Sequence, residues 1–227
     1  MGLRNILRLV KYPKSIYVNF KLFDFKTAFH MPILISNKVK CIGLRRGAVS
    51  LSAPAHFGMI RLGTLEGSTG IWHYDRCHGV LDISGGEMIL GDDVRFSRGF
   101  SIKTIEGGKL TIGNHFIANC YVTVFASDEV TIGEGCLVAH HVFMNCGDGH
   151  KVVSAVTGEV TNTRKPITLG DHVWLGANVS VLKGSYIEHG SIVGYATIVG
   201  TEFREPNCCI VGPFPGRVVK RETTWKH

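Results

Sequence analysis

Aliphatic residues recur every six positions between Leu169 and Arg204, in the blocks LGDHVW, LGANVS, VLKGSY, IEHGSI, VGYATI and VGTEFR. Gly follows the opening aliphatic residue in four of the six blocks. A period of six fits neither an amphipathic helix, which repeats every ~3.6 residues, nor a half-buried strand, which repeats about every two. It predicts an all-β solenoid in which each block forms a short strand, and three blocks complete one triangular coil.

The same pattern extends upstream with less regular spacing. Further blocks open at Leu90, Phe96, Ile102, Ile112, Ala118, Val124, Ile132, Val138 and Met144. The equivalent glycines Gly91, Gly113, Gly133 and Gly170 are 22, 20 and 37 residues apart, whereas an ideal coil has about 18. The last spacing predicts a long insertion over residues 147–166, and insertions in solenoids project from one face and often build the functional site.

The chain is divided by this pattern into three segments. Residues 1–32 are a basic N-terminal extension, residues 33–212 are the solenoid with its insertion, and residues 213–227 are a C-terminal tail. Short β-branched runs separated by Gly over residues 33–63 predict opening coils. A short helix is predicted over residues 1–11, ending near Pro13.

The net charge of +7 is concentrated at the N-terminus. Residues 1–46 contain ten Lys or Arg and one acid, a charge of +9, which leaves −2 for the other residues. This segment is interpreted either as a solvated flank or as a surface for anionic lipid or anionic glycan. It contains no recognisable nucleic-acid-binding motif.

Neither a membrane span nor a signal peptide is predicted. No apolar run approaches the ~18 residues of a span, and charges are scattered through MGLRNILRLVKYPK. The seven cysteines are odd in number and contain no CxxC. We therefore expect reduced thiols and a cytoplasmic protein.

His150 is the candidate general base among the eleven histidines. It lies at the mouth of the predicted insertion, in NCGDGHKVV, two residues after Asp148. A His beside a carboxylate at a loop mouth can act as a general base, although a surface His in a turn has the same pattern. The adjacent His140 and His141 are rival candidates, and the pattern favours a surface or interface position for them.

Three stretches resemble the left-handed parallel β-helix acyltransferases, and most closely the bacterial O-acetyltransferases of capsular and lipopolysaccharide glycans. CGDGH (146–150) resembles the segment that carries the family's catalytic His. VWLGANVSVLKG (173–184) resembles the coil that lines the acetyl-CoA groove, and IVGPFPGRVVKR (210–221) resembles the closing segment. The last stretch departs from the family's usual wording at Phe214-Pro215-Gly216. The resemblance covers about 130 residues.

The resemblance implies a left-handed coil, acetyl-CoA as acyl donor without a metal, and a homotrimer with active sites between subunits. It points to Trp174 as a wall or indole donor of the site, beside His150 and Asp148; the alternative for Trp174 is a packing role. For the cofactor it implies the small residues Gly176, Ala177, Gly194 and Ala196 and the cations Lys183, Arg217, Lys220 and Arg221. The implied reaction is O-acetylation of a sugar hydroxyl of a surface polysaccharide or its precursor, in the cytoplasm or at the inner face of the membrane.

Three alternatives stay open at this point. An amino-sugar N-acetyltransferase would have the same fold and donor. A γ-type carbonic anhydrase would bind zinc through three histidines, and His73 and His78 have a spacing that suits two of them. An inactive hexapeptide scaffold is the third alternative, and the presence of both His150 and Trp174 argues against it.

Overall fold

A computed structural model describes residues 2–64 and 77–226. In this part of the chain the strands stack into three sheets. Sheet A contains, in spatial order, β1 (Ile33–Ile35), β4 (Ile60–Leu62), β7 (Val94–Phe96), β10 (Ile117–Ala118), β13 (Leu137–Val138), β16 (Trp174–Leu175), β19 (Ile192–Val193), β22 (Cys209–Val211) and β23 (Arg217–Lys220). Sheet B contains β2 (Val39–Ile42), β5 (Gly79–Asp82), β8 (Ser101–Thr104), β11 (Thr123–Ala126), β14 (Phe143–Asn145), β17 (Ser180–Leu182) and β20 (Ile198–Val199). Sheet C contains β3 (Val49–Leu51), β6 (Glu87–Leu90), β9 (Lys109–Ile112), β12 (Glu129–Ile132), β15 (Ile167–Leu169), β18 (Tyr186–Ile187) and β21 (Glu202–Phe203).

The coils stack in the register that the repeats predict. Along sheet C, Leu90 pairs with Ile112, Ile112 with Ile132, Ile132 with Leu169, and Leu169 with Ile187. These five side chains point into the prism and are at most 2% exposed. Burial of each such side chain stabilises the fold by about 1.5–3 kcal/mol. The predicted fold class, an all-β parallel β-helix with a long insertion loop and a short N-terminal extension, is confirmed.

The repeated glycines are required by the close approach of successive coils. A Cβ on Gly91 would lie 2.6 Å from the carbonyl carbon of Gly113, and one on Gly113 would lie 2.7 Å from the backbone nitrogen of Glu134. Positive φ angles occur two residues after these glycines, at Asp93 (54°), His115 (55°), Gly135 (67°) and His172 (55°). Asp and His tolerate this conformation better than most residues, which explains why Gly is not needed at every such corner.

Helices close the N-terminal end of the solenoid. They are α1 (Leu3–Lys11), α2 (Lys14–Leu22) and α3 (Phe25–Phe29), of which only α1 was predicted. The buried side chains of Ser15 and Asn19, one turn apart on α2, bond the free edge of β1. Ser15 Oγ accepts from the N–H of Ile35 at 2.9 Å, and Asn19 accepts from the N–H of Ile33 at 3.1 Å and donates to its carbonyl at 2.8 Å. The helix α2 thereby covers the edge strand β1, whose backbone groups would otherwise be unpaired.

The C-terminal tail closes the other edge of sheet A. The strand β23 pairs antiparallel with β22, after a cis peptide bond between Phe214 and Pro215. All seven cysteines are free thiols. Burial raises the pKa of the Cys136 thiol to about 12, so this group stays protonated and is not a nucleophile. None of the described helices has both the length and the apolar character that crossing a bilayer requires.

Candidate active site

The long insertion leaves the solenoid after β14 and returns at β15. Its base is closed by the N–H of Lys165, which donates to the carbonyl of Cys146 at 3.2 Å. Beyond the base the chain forms a small hairpin with an antiparallel bridge between Val153 and Val160. Val156 near the tip is 94% exposed. The insertion is therefore a hydrogen-bonded projection of the solenoid.

Asp148 is at the centre of an anchor that holds the first turn of this loop. Its carboxylate accepts hydrogen bonds from the Lys183 ammonium and, at 2.7 Å, from the Asn162 amide. Asn162 also donates to the carbonyl of His150 at 2.8 Å and accepts from the N–H of Val152 at 2.6 Å. These bonds fix the backbone on both sides of His150. Asp148 contacts Lys183 and Asn162, and no hydrogen bond joins it to the imidazole within the described residues.

The charge of Asp148 makes this anchor permanent at neutral pH. Hydrogen bonds from Lys183 and Asn162 to the carboxylate hold the pKa of Asp148 below its ordinary value. The ion pair therefore stabilises the loop at any pH above the ordinary pKa of an Asp. This stabilisation is lost below about pH 4, as the pH falls through the lowered pKa of Asp148. Asp148 and Lys183 are both partly exposed to solvent, so their ion pair contributes more to the local geometry of the loop than to the stability of the whole fold.

We expect Asp148→Asn and Lys183→Met to have similar, modest effects on kcat, of roughly three- to tenfold, because each breaks the same ion pair. The double variant should then be no worse than either single variant, which is the result for two residues that act through one contact. Steady-state rates of the three variants, with melting temperatures as a control for folding, measure this coupling.

A different result would assign these residues separate roles. If Asp148 oriented the imidazole directly, Asp148→Asn would lower kcat far more than Lys183→Met does. If Lys183 bound the phosphates of the donor, Lys183→Met would raise the KM for acetyl-CoA while Asp148→Asn would leave that KM unchanged.

His150 lies at a cleft of about 490 Å³ between the loop and the outer faces of the preceding coils. Phe125 forms part of the apolar wall, and Asn162 and Arg164 line the side formed by the loop. Arg164 pairs with Glu106 and donates to the carbonyl of Ser127 at 2.9 Å. The His150 side chain is exposed, and its ring has no hydrogen-bond partner within the described residues. A free imidazole on a fixed backbone, beside a cleft, can accept a proton from a bound hydroxyl.

Trp174 lies on the outer face of sheet A and is not among the residues that line this cleft. It is 36% exposed and contacts Trp225, with 6.2 Å between ring centroids. The Trp225 ring stacks on His172 at 4.1 Å, and its indole N–H donates to the carbonyl of His172 at 2.8 Å. The tail thus returns across sheet A and buries Trp225 beside Trp174. Trp225 was not predicted as part of this region, because its only signal in the sequence is a Trp close to the end of a polar tail.

The small residues predicted to face the cofactor are also required by the packing of the coils. A Cβ on Gly176 would lie 2.9 Å from a carbonyl oxygen of the next coil, and one on Gly194 would lie 2.7 Å from a side chain of the next coil. Ala177 and Ala196 lie at one corner, where the N–H of Ala196 donates to the carbonyl of Ala177 at 2.9 Å. Ala196 is exposed and adopts a φ of 56°, which costs about 1 kcal/mol or more for a residue with a Cβ.

The four predicted cations differ in their partners. Lys183 pairs with Asp148, and Arg221 pairs with Glu205 at 3.0 Å. Arg217 and Lys220 are exposed on β23, and their side chains have no ion-pair or hydrogen-bond partner within the described part of the chain. The pairing of β22 with β23 contains a register shift, and a bulge displaces the alternation of side chains by one residue. Arg217 and Lys220 can therefore lie on the same face, as an anionic ligand would require.

The rival histidines have structural contacts at a corner. His141 has a φ of 59° and stacks on Tyr121 with 4.8 Å between ring centroids. His140 meets His141 edge to face at 5.8 Å. For the carbonic anhydrase alternative, His73 lies outside the described residues. No group of three or more metal-ligating side chains occurs among residues 2–64 and 77–226.

No protein-family model matches the chain, but individual proteins do. It is 33% identical over 123 residues to the polysialic acid O-acetyltransferase of Escherichia coli O1:K1 / APEC, which is 54% of this chain and 38% of that protein. It is 33% identical over 114 residues to the galactoside O-acetyltransferase of Escherichia coli strain K12, which is 50% of this chain and 55% of that protein. The solved polysialic acid O-acetyltransferase OatWY has a TM-score of 0.45 at 26% identity, over 86% of this chain and 87% of that one.

The chain spans 38% and 55% of the length of these two relatives. The predicted resemblance to bacterial glycan O-acetyltransferases is confirmed, since these two relatives are O-acetyltransferases of polysialic acid and of galactosides.

Proposed function

We propose that this chain is an acetyl-CoA-dependent O-acetyltransferase that modifies a sugar hydroxyl of a bacterial surface polysaccharide or its precursor. The observation that carries the proposal is the placement of His150, whose ring is free while its backbone is held by Asn162 at the edge of a 490 Å³ cleft. The similarity to polysialic acid and galactoside O-acetyltransferases supports acetyl as the group and a glycan as the acceptor. We place the reaction in the cytoplasm or at the inner face of the membrane, where the donor is made.

His150 supplies the proton transfers of the reaction. A sugar hydroxyl is a weak nucleophile until its proton is removed, and the neutral imidazole takes that proton as the oxygen attacks the acetyl carbonyl. The tetrahedral oxyanion is stabilised by a preorganised donor, either a backbone N–H or the Trp174 indole N–H. The C–S bond then breaks, and the histidinium returns the proton to the leaving thiolate. The products are the sugar acetate and free CoA, formed without a covalent enzyme intermediate.

We propose a homotrimer in which each site lies between neighbouring subunits. His150 is on the loop that leaves sheet B, whereas Trp174 is on the outer face of sheet A and outside the His150 cleft of its own subunit. Packing sheet A of one subunit beside the loop of the next brings these two residues together. The tail of residues 213–227 borders the same sheet, and the unpaired Arg217 and Lys220 suit the phosphates of CoA.

A thiol-release assay with acetyl-CoA tests the function. The acceptor panel contains sialic acid oligomers, galactosides and matched amino sugars, and each product is treated with mild base, which cleaves esters and leaves amides intact. We expect acceptor-dependent CoA release and a base-labile product. A base-stable product formed only with amino sugars would establish N-acetylation instead, and acceptor-independent background release across the panel would contradict a glycan acetyltransferase.

A further inference from the structure

The helix α1 exposes an apolar stripe to solvent. Leu3, Ile6, Leu7 and Val10 are spaced i, i+3, i+4 and i+7, so they lie within an arc of about 100°. Leu3 is 74% and Val10 is 73% exposed, whereas Leu9, about 110° around the helix from the centre of the stripe, is 8% exposed and packs on the solenoid. The stripe is therefore the side of the helix that the fold leaves uncovered.

Aromatic side chains on α3 add to this apolar surface. Phe25 and Phe29, one helical turn apart, are each 70% exposed, and their ring centroids are 5.9 Å apart. Leu9 of α1 clusters with Met31, two residues after the end of α3, so the two helices lie at the same end of the solenoid. We call the six exposed residues the N-terminal apolar surface: Leu3, Ile6, Leu7, Val10, Phe25 and Phe29. Exposed large apolar side chains concentrated at one end of a soluble protein mark an interaction surface.

Uncompensated positive charge lies on the same N-terminal segment as this surface. Lys11, Lys21, Lys26 and Arg46 are exposed, and none has an acidic partner within the described residues. The one acid among residues 1–46, Asp24, is engaged as the N-cap of α3, where it accepts from the N–H and hydroxyl of Thr27. A groove of about 550 Å³ beside α2 is both apolar and positively charged. It is lined by Ile16, Tyr17, Phe20 and Leu44 together with Lys21, Arg45 and Arg46.

We propose that the N-terminal apolar surface and its lysines dock this protein on an anionic lipid bilayer. A bilayer interface offers acyl chains to Leu, Val and Phe side chains and anionic headgroups to the lysines next to them. An anionic glycan would pair with the lysines and leave the apolar stripe in water. Cyclic symmetry of the proposed trimer adds to the affinity, because it presents three copies of the surface at the same end of the assembly.

Co-sedimentation with vesicles tests the proposal on the full chain and needs no enzymatic activity, so its outcome is independent of the proposed acetyl transfer. Vesicles of phosphatidylcholine alone are compared with vesicles of equal parts phosphatidylcholine and phosphatidylglycerol, at low and high salt. We expect binding to the anionic vesicles at low salt, and a loss of at least fivefold in partitioning at high salt or on neutral vesicles.

Two variants and a control separate the contributions. Leu7→Ser with Val10→Ser should weaken binding to anionic vesicles at least tenfold, and Lys21→Gln with Lys26→Gln at least fivefold. Val156→Ser, which removes a still more exposed apolar side chain from the insertion loop, should bind like the unaltered protein. Wild-type binding by both double variants would overturn the proposal. A change of oligomeric state in Leu7→Ser with Val10→Ser would also overturn it, because it would show that a second copy of the chain covers the surface. Equal binding to both vesicle types, with competition by soluble polysialic acid, would overturn it in favour of a glycan.

Discussion

Replacing His150 with Ala is expected to lower kcat on the order of 10²-fold or more while the protein remains folded, because general-base catalysis contributes at least this much to acyl transfer. The side chain is exposed and makes no hydrogen bond within the described residues, so its removal leaves no buried group unsatisfied. The backbone contact that holds the loop, from Asn162 to the His150 carbonyl, is retained in the variant. CoA release at saturating donor and acceptor measures the effect, and the melting temperature should change by no more than a few degrees.

The matched control is His140→Ala, which removes an imidazole outside the cleft. It should keep kcat within a few-fold of the unaltered protein. His141 is a poorer control because its φ of 59° is disfavoured for Ala. If His150→Ala retained activity within a few-fold, or if His140→Ala lost as much as His150→Ala, His150 would not be the base.

The adjacent indoles of Trp174 and Trp225 should respond to substitution in opposite ways. Trp174→Ala is expected to lower kcat/KM at least tenfold, because the exposed indole is a wall or an oxyanion donor of the proposed intersubunit site, with little change in melting temperature. Trp225 is 7% exposed and stacked on His172. Trp225→Ala should therefore lower the free energy of unfolding by about 3 kcal/mol.

Measuring activity and thermal unfolding on the same preparations separates the two roles. A large fall in melting temperature for Trp174→Ala, with activity that follows the folded fraction, would make Trp174 a packing residue. A stable Trp225→Ala variant would show that the contact of the tail with His172 contributes little to the fold.

The solenoid could be predicted from the sequence because each coil is stabilised by contacts with the adjacent coils, which repeat at a fixed spacing along the chain. Each inward residue, such as Leu169 or Ile187, is buried by its immediate neighbours in the next coil. The six-residue period therefore predicts both where the strands lie and in which register they pair. The end caps follow no such rule. Ser15 and Asn19 look like unremarkable polar residues until α2 lies against β1, where they satisfy its edge.

The site residues proposed from the sequence stay predictions, and their contacts in the fold were only partly foreseeable. The motif around His150 is contiguous and could be recognised, and Lys183 was assigned to the donor because it is a cation on the right coil. Its partner Asp148 is 35 residues away, and Asn162, which links Asp148 to the His150 carbonyl, is an ordinary loop residue in sequence. Contacts across an insertion depend on how the loop folds back, and no periodicity encodes them.

The central claim is that His150 of one subunit and Trp174 of a neighbour form one acetyl-transfer site. Co-expression of His150→Ala and Trp174→Ala chains with different affinity tags allows mixed trimers to be purified through both tags. In any mixed trimer one of the three interfaces combines an intact His150 with an intact Trp174, so about a third of the unaltered activity should return. Mixed trimers as inactive as the parent variants would contradict the claim. That result would mean that His150 and Trp174 act within the same subunit, or that one of them is not part of the site.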